Sequence, residues 1–169
     1  MTDPLFHVVL HEPEIPNNTG NIGRTCVATG CALHLIHPLG FQTSEKACRR
    51  AGLDYWPRLG VVEHASFRAY QSAFPASGAW FFSTKGTASL FDAEFQLHDH
   101  LVFGKETAGL PDAILIAVPP ERVLRMPMVE GERSLNVATA VCAAVYEALR
   151  QVVARGQVRV DSGVIRRPS

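Results

Sequence analysis

No stretch of this 169-residue chain approaches the ~20 consecutive apolar residues of a membrane span. The opening residues, MTDPLFHVVLHEPEIP, lack the basic start and long apolar run of a signal peptide. Both absences lead to the expectation of a cytoplasmic protein without a membrane partner. There is no excess of charge either: Lys plus Arg and Asp plus Glu are both 16. The whole molecule therefore offers no long-range field that would draw it to nucleic acid, and a polyanion must be held by a local patch. Cys26, Cys31, Cys48 and Cys142 contain no C-x-x-C pair, which favours buried free thiols over a disulfide or a metal role. Among the histidines, His34-x-x-His37 and His98-x-His100 stand out, but no carboxylate or cysteine completes a convincing ligand set, so no metal is expected. Internal repeats and low-complexity segments are absent as well.

What is present is a 47% hydrophobic chain, enough for one globular domain that buries about two-thirds of its unfolded surface. Apolar runs at Phe6–Leu10, Ala32–Ile36, Leu59–Val62, Trp80–Ser83, Leu101–Phe103 and Val123–Met126 are short enough for buried strands. Helical segments fall between them: Ile22 to Gly30 after a turn-rich opening, Ser44 to Ala51, a short piece capped by Ser66 and ending before Pro75, and Asp112 to Ala117. Alternation of this kind predicts an α/β fold, a mostly parallel six-stranded sheet with helices on both faces. The expected boundaries are a single domain over 1–156 and a basic C-terminal tail over 157–169, with Arg159, Arg166 and Arg167 facing water.

The segment Val123–Val153 organises the rest. A strand runs into the polar loop Glu130-Gly131-Glu132-Arg133, and a helix follows for which Ser134 is a candidate N-cap. Leu135, Ala138, Val141, Cys142, Val145, Leu149 and Val152 recur at helical spacing as one buried face. Polar, glycine-bearing corners beyond strand ends are where α/β sheets bind ligands. Three such corners occur: Asn18 to Arg24, Gly104 to Pro111, and Glu130 to Asn136. The first is neither G-x-G-x-x-G nor a Walker sequence, so a nucleotide-phosphate loop is not indicated. Singly, each has a plain explanation, since Gly20 and Gly23 can serve close packing, Gly109-Leu110-Pro111 can launch a helix, and Ser134 can cap one.

In this order and spacing, N-N-T-G-N-I-G-R-T (Asn17–Thr25), F-G-K-E-T-A-G-L-P (Phe103–Pro111) and M-P-M-V-E-G-E-R-S-L-N-V-A-T-A-V (Met126–Val141) resemble the three motifs of the SPOUT class of RNA 2′-O-ribose methyltransferases. With Glu12–Asn18, R-R-A-G-L-D-Y (Arg49–Tyr55) and T-K-G (Thr84–Gly86), the likeness is nearest to the minimal members that methylate the tRNA wobble nucleotide, and it runs from Phe6 to about Val153. The resemblance implies a C-terminal trefoil knot, S-adenosyl-L-methionine as cofactor, and a homodimer in which each site borrows from both subunits. Tyr146 is a candidate for that interface, or else core.

By the same resemblance, Phe82, Gly104, Met126 and Ser134 line the cofactor pocket, with Leu110 and Leu135 as further walls or ordinary core. Arg24 matches the arginine placed at the target hydroxyl. An arginine guanidinium holds its proton too firmly to serve as a good base, which favours orienting a phosphate or stabilising a developing alkoxide. A phosphate oxygen, a water or a perturbed Arg24 remain the possible proton acceptors. Asn18, Ser134 and Asn136 are assigned to holding the ribose and loops, and Glu106 reads more naturally as ordering its own loop than as a base. Lys46, Arg49, Arg50, Lys85 and Arg133 are the candidate RNA-binding patch. Lys105 departs from the proline or serine common in relatives. The implied reaction is methyl transfer to the ribose of cytidine or uridine at the wobble position in the tRNA anticodon stem-loop. The alternatives are another tRNA or rRNA site, or a non-catalytic RNA-binding protein.

Overall fold

Val8 and Leu10 face one core while Val9 between them faces another, and the same alternation separates Trp80 and Phe82 from Phe81, and Leu101 and Phe103 from Val102. Successive side chains on a strand point to opposite faces, so these strands lie in a sheet covered on both sides. The computed structural model describes residues 3–43, 53–74 and 78–166. Its main sheet comprises β1 (His7–His11), β2 (Ala32–Ile36), β3 (Val61–His64), β4 (Ala79–Phe82), β5 (Ala88–Ser89), β6 (His100–Phe103) and β7 (Val123–Arg125). They are ordered β3-β2-β1-β6-β4-β7-β5, and every neighbouring pair is parallel.

The sheet thus has seven strands where six were expected. The additional one, β5, is two residues long and pairs Ala88 with Leu124 and Ser89 with Arg125. Two residues show no periodicity. Gly86 lets the chain reach that pairing, because a Cβ there would lie 2.6 Å from the Val123 carbonyl oxygen.

Helix α1 (Pro16–Thr29) starts at the proline itself and ends on left-handed Gly30. The segment Asn18 to Arg24 is therefore helical, not a strand-end loop. Proline at the first helical turn sacrifices an N–H that has no partner anyway. Gly20 and Gly23 bring the helix against Leu53, Tyr55 and Leu59, a Cβ on Gly23 falling 2.8 Å from Leu59 Cδ2. Helices α2 (Phe67–Ala73), capped by Ser66, and α3 (Asp112–Ile116) match their sequence-predicted places. The helix expected over residues 44–51, and Cys48 with it, lies outside the described residues. Cys26 and Cys31 are buried free thiols, while Cys142 is only partly covered.

Helix α4 (Val137–Ala154) packs against α1 and β6 through Ala140, Val141, Ala144, Val145, Ala148 and Val152. It is long and apolar enough by composition to cross a membrane, but half of it is buried in this core. Its far end is tied down by Gln151, whose Oε1 accepts from the Phe95 N–H (3.0 Å) and whose Nε2 donates to the Ala93 carbonyl (2.9 Å). Beyond it the basic tail forms an antiparallel hairpin of β8 (Arg159–Asp161) and β9 (Val164–Arg166), seated on the core through Val158 and Ile165.

Candidate active site

The carboxyl ends of β6, β4 and β7 lie side by side, so the segments that follow them meet above the sheet. They enclose a cavity of about 540 Å³, within the ~300–1,000 Å³ range of small-ligand sites. All six residues expected to bind cofactor line it: Phe82, Gly104, Leu110, Met126, Ser134 and Leu135. Phe82 stacks on Phe103 with centroids 4.4 Å apart and planes 8° from parallel, forming a flat apolar floor. Leu110 belongs to a core cluster as well, whereas Leu135 is 43% exposed and is a wall only.

Gly104 is required by a close backbone approach. The 104–110 loop folds back so tightly that a Cβ on Gly104 would sit 2.0 Å from the Gly109 carbonyl carbon. The Gly109 N–H closes the turn onto the Lys105 carbonyl (2.8 Å), at a positive φ of 69° that suits glycine. Lys105, the departure from the family pattern, is engaged with Glu12 Oε2 at 2.8 Å.

One hydrogen-bond chain fastens the three motif segments together. Glu106 Oε2 accepts from the Glu14 N–H (2.8 Å), and its Oε1 accepts from the Ile15 N–H (3.2 Å) and from Asn18 Nδ2 (3.0 Å). Asn136 Nδ2 in turn donates to Asn18 Oδ1 (3.0 Å). Glu14 returns the contact by accepting from the Thr107 N–H (3.1 Å) and hydroxyl (2.8 Å). Burial opposes ionisation of Glu106, but the donors from Glu14, Asn18 and Ile15 outweigh it and hold the carboxyl below its ordinary value. An ionised carboxylate with this many donors is a weak base, so Glu106 orders the site.

The expected cap at Ser134 is not formed. Asn136 is the N-cap of α4, its Oδ1 accepting from the Ala138 (2.9 Å) and Thr139 (3.3 Å) N–H groups. Both residue types cap well, and Asn136 is the one placed so that the same side chain also reaches Asn18 Oδ1. Ser134 is left exposed on the cavity wall.

Of the four candidate catalytic residues, Asn18, Ser134 and Asn136 line this cavity and Arg24 does not. Arg24 projects from another face of α1 into a second cavity of about 480 Å³, its guanidinium 4.8 Å from the centroid of the Tyr55 ring. Of the candidate RNA-binding residues, Lys85 and Arg133 line the larger cavity, with Lys85 paired to Asp112. Lys46, Arg49 and Arg50 lie outside the described residues. Arg125 and Met128, which flank Met126, and Ser83 and Thr84 after β4 also line the cavity; Met128 and Thr84 lie in the quoted motifs, but none of the four has a site role from the sequence. Adjacency to the strand ends was the available signal for all four.

The SpoU rRNA Methylase family matches residues 5–146. A curated relative from Saccharophagus degradans, named tRNA (cytidine(34)-2′-O)-methyltransferase, is 49% identical over 148 residues, covering 88% of this chain and 96% of the relative. A solved structure described as giving insights into the 2-OH methylation of C/U34 on tRNA aligns with a TM-score of 0.81 at 48% identity, covering 89% of this chain and 97% of that one. The SpoU methyltransferase AviRb from Streptomyces viridochromogenes, solved with AdoMet, aligns at a TM-score of 0.73 and 27% identity over 90% of this chain and 60% of AviRb.

Proposed function

The chain belongs to the SpoU rRNA methylase family, and on that premise we propose that it is an S-adenosylmethionine-dependent tRNA methyltransferase that modifies the ribose 2′-hydroxyl of the wobble nucleotide, cytidine or uridine. The name of the Saccharophagus relative, at 49% identity over nearly its full length, supports the substrate. The observation that carries the reading on this chain is the Glu106–Asn18–Asn136 chain of hydrogen bonds, which locks all three motif segments around one cavity.

That cavity suits the cofactor. Phe82, Phe103, Leu110 and Met126 supply an apolar slot, and the Gly104 corner brings backbone groups where a side chain would stand. The cofactor's chemical contribution is an electrophilic methyl on a sulfonium. Asn18 and Asn136 hold the segments in register, and exposed Ser134 offers a hydroxyl to substrate or cofactor. Arg24 acts on the nucleotide, orienting its phosphate or stabilising negative charge on the attacking oxygen. Arg125, Arg133 and Lys85 bring positive charge to the same cavity, and phosphate contact is the role assigned from the sequence to Lys46, Arg49 and Arg50.

Two further features belong to this reading. Arg24 and the cofactor cavity lie on different faces of α1, which is what a homodimer with sites assembled from two subunits requires. Tyr146, 52% exposed on the outer face of α4, is the interface candidate. The return of the chain from β7 to the Gly104–Leu110 corner and Asn18 fits a C-terminal trefoil knot within a single domain over 1–156.

Purified Arg24→Ala protein tests the assignment of roles. Cofactor affinity measured by calorimetry stays within about twofold of the parent, and methyl transfer to tRNA falls by at least about a hundredfold, the scale lost with one transition-state donor. Transfer at the parent rate would remove Arg24 from the chemistry.

A further inference from the structure

The ribose hydroxyl that receives the methyl is the same in all four nucleotides, so selection of a pyrimidine must come from contacts to something else. The second cavity provides them. Its volume is about 480 Å³, and its walls include the rings of Tyr55, Trp56 and Phe41, the carboxamides of Asn17, Asn21 and Gln42, and Arg24. Thr19, on the same wall, is 1% exposed and its hydroxyl has no hydrogen-bond partner among the described residues. Among the described residues, no carboxylate lines the cavity. Aromatic faces beside amide groups, with a cation and no anion, are the chemistry by which proteins hold an unstacked base of a single-stranded RNA loop.

We propose that this cavity is the binding site for the base of the methylated nucleotide, a pyrimidine stacked on Trp56 and read along its Watson–Crick edge by the carboxamides. The proposal rests on the function proposed above and adds the subsite that selects the nucleotide. Because Arg24 shares the cavity, a base held there brings its own ribose to the guanidinium assigned to it. Cytosine and uracil present opposite donor and acceptor patterns at N3 and the C4 substituent. A carboxamide turned about its terminal bond offers either pattern, so an amide reader makes a paired donor and acceptor contact with both pyrimidines, which an acceptor-only carboxylate or a donor-only ammonium makes with neither. Trp56 is half-buried, standing in a short 3-10 turn (Trp56–Arg58) whose approach to α1 is permitted by Gly23. The stacking surface and the amide-bearing helix are thus held together by the fold.

A cycle of two RNAs and three proteins tests this. One anticodon stem-loop carries cytidine at the target nucleotide. The other carries an abasic residue there with its 2′-hydroxyl intact. The proteins are the parent, Trp56→Ala and Trp56→Phe, assayed for kcat/KM of methyl transfer. Going from cytidine to abasic RNA costs the parent about ten- to a hundredfold, the worth of one stacked base. Trp56→Ala loses a similar factor on the cytidine RNA, is no worse than the parent on the abasic RNA, and regains most of the loss as Trp56→Phe. An equal loss on both RNAs, or a parent that methylates both equally well, overturns the proposal. Fluorescence gives a readout independent of transfer, since the only other tryptophan, Trp80, is buried beneath Arg122. The cytidine RNA quenches Trp56 and the abasic RNA does not. If the parent methylates neither RNA, the function proposed above fails, while base-dependent quenching still upholds the pocket and its absence overturns it.

Discussion

Asn136 caps α4 with its oxygen and reaches Asn18 with its nitrogen, so the two halves of one side chain serve stability and site geometry separately. Asn136→Ala removes both. Loss of the cap costs about 1 kcal/mol, which lowers Tm by roughly 2–4 °C in a chain of this size, and cofactor affinity falls as the 134–136 segment loosens. Asn136→Asp keeps the cap and loses the donor. In thermal melts and cofactor titrations it therefore retains most of the Tm while sharing the affinity loss. Gly104→Ala acts by another route, since its Cβ cannot coexist with Gly109 2.0 Å away. The loop must shift, at an overpacking cost of about 1–3 kcal/mol, so cofactor affinity measured by calorimetry drops about tenfold or more. The motif Ser134-Leu135-Asn136 shows the limit of reading residues from a chain alone. It offers two good caps two positions apart, and only the position of Asn18, 118 residues earlier, selects the second.

Elements were legible where their pattern is local. The buried strands β1, β2, β4, β6 and β7 and the amphipathic α4 follow from apolar runs and spacing that need no distant partner. The start of α1 was not legible. Asn17-Asn18-Thr19-Gly20 has poor helix propensity, and it is helical because Tyr55, Leu53 and Leu59 pack against its glycines and the Tyr55 hydroxyl donates to the Gly20 carbonyl. Nor does the sequence reveal that His7, His34, His64 and His100, scattered over 94 positions, share one face of β1, β2, β3 and β6. His34 Nε2 is 2.8 Å from His7 Nδ1, His34 Nδ1 is 3.0 Å from His64 Nε2, and Tyr70 bonds His100 Nδ1 at 2.8 Å. Burial lowers the pKa of all four, pushing His34 and His100 to about 3, with repulsion from neighbouring histidines adding to it at both. The folded protein keeps these rings neutral at pH values where the unfolded chain, titrating near 6.5, takes up protons. Folding stability is therefore fully present above pH ~6.5 and declines progressively from there towards pH ~3. Urea midpoints at pH 7.5 and pH 5.5 check this: a clear fall at pH 5.5 is expected, ahead of the carboxylate range, and equal midpoints would contradict it.

At the scale of the molecule, a chain with no net charge places its candidate RNA contacts locally, at the cavity arginines and along α1. RNA affinity should then weaken with salt with the modest slope of a few phosphate contacts, read from binding isotherms at two ionic strengths. The outer face of α4 carries Tyr146, 52% exposed, the residue assigned above to the proposed dimer interface. On the proposed homodimer, the expected sedimentation result is a dimer for the parent and a shift towards monomer for Tyr146→Glu, with loss of transfer if the sites are shared between subunits. Three distant segments could be joined from the sequence because each carries a motif. The second cavity could not, since its aromatic wall lies in an irregular turn.

The most direct measurement is nucleoside-resolved mass spectrometry of tRNA incubated with the purified protein and S-adenosylmethionine. The account predicts one added methyl, on the ribose of cytidine or uridine at the wobble position. A methyl on a base, a ribose methylated only elsewhere, or no methyl in any tRNA would contradict it.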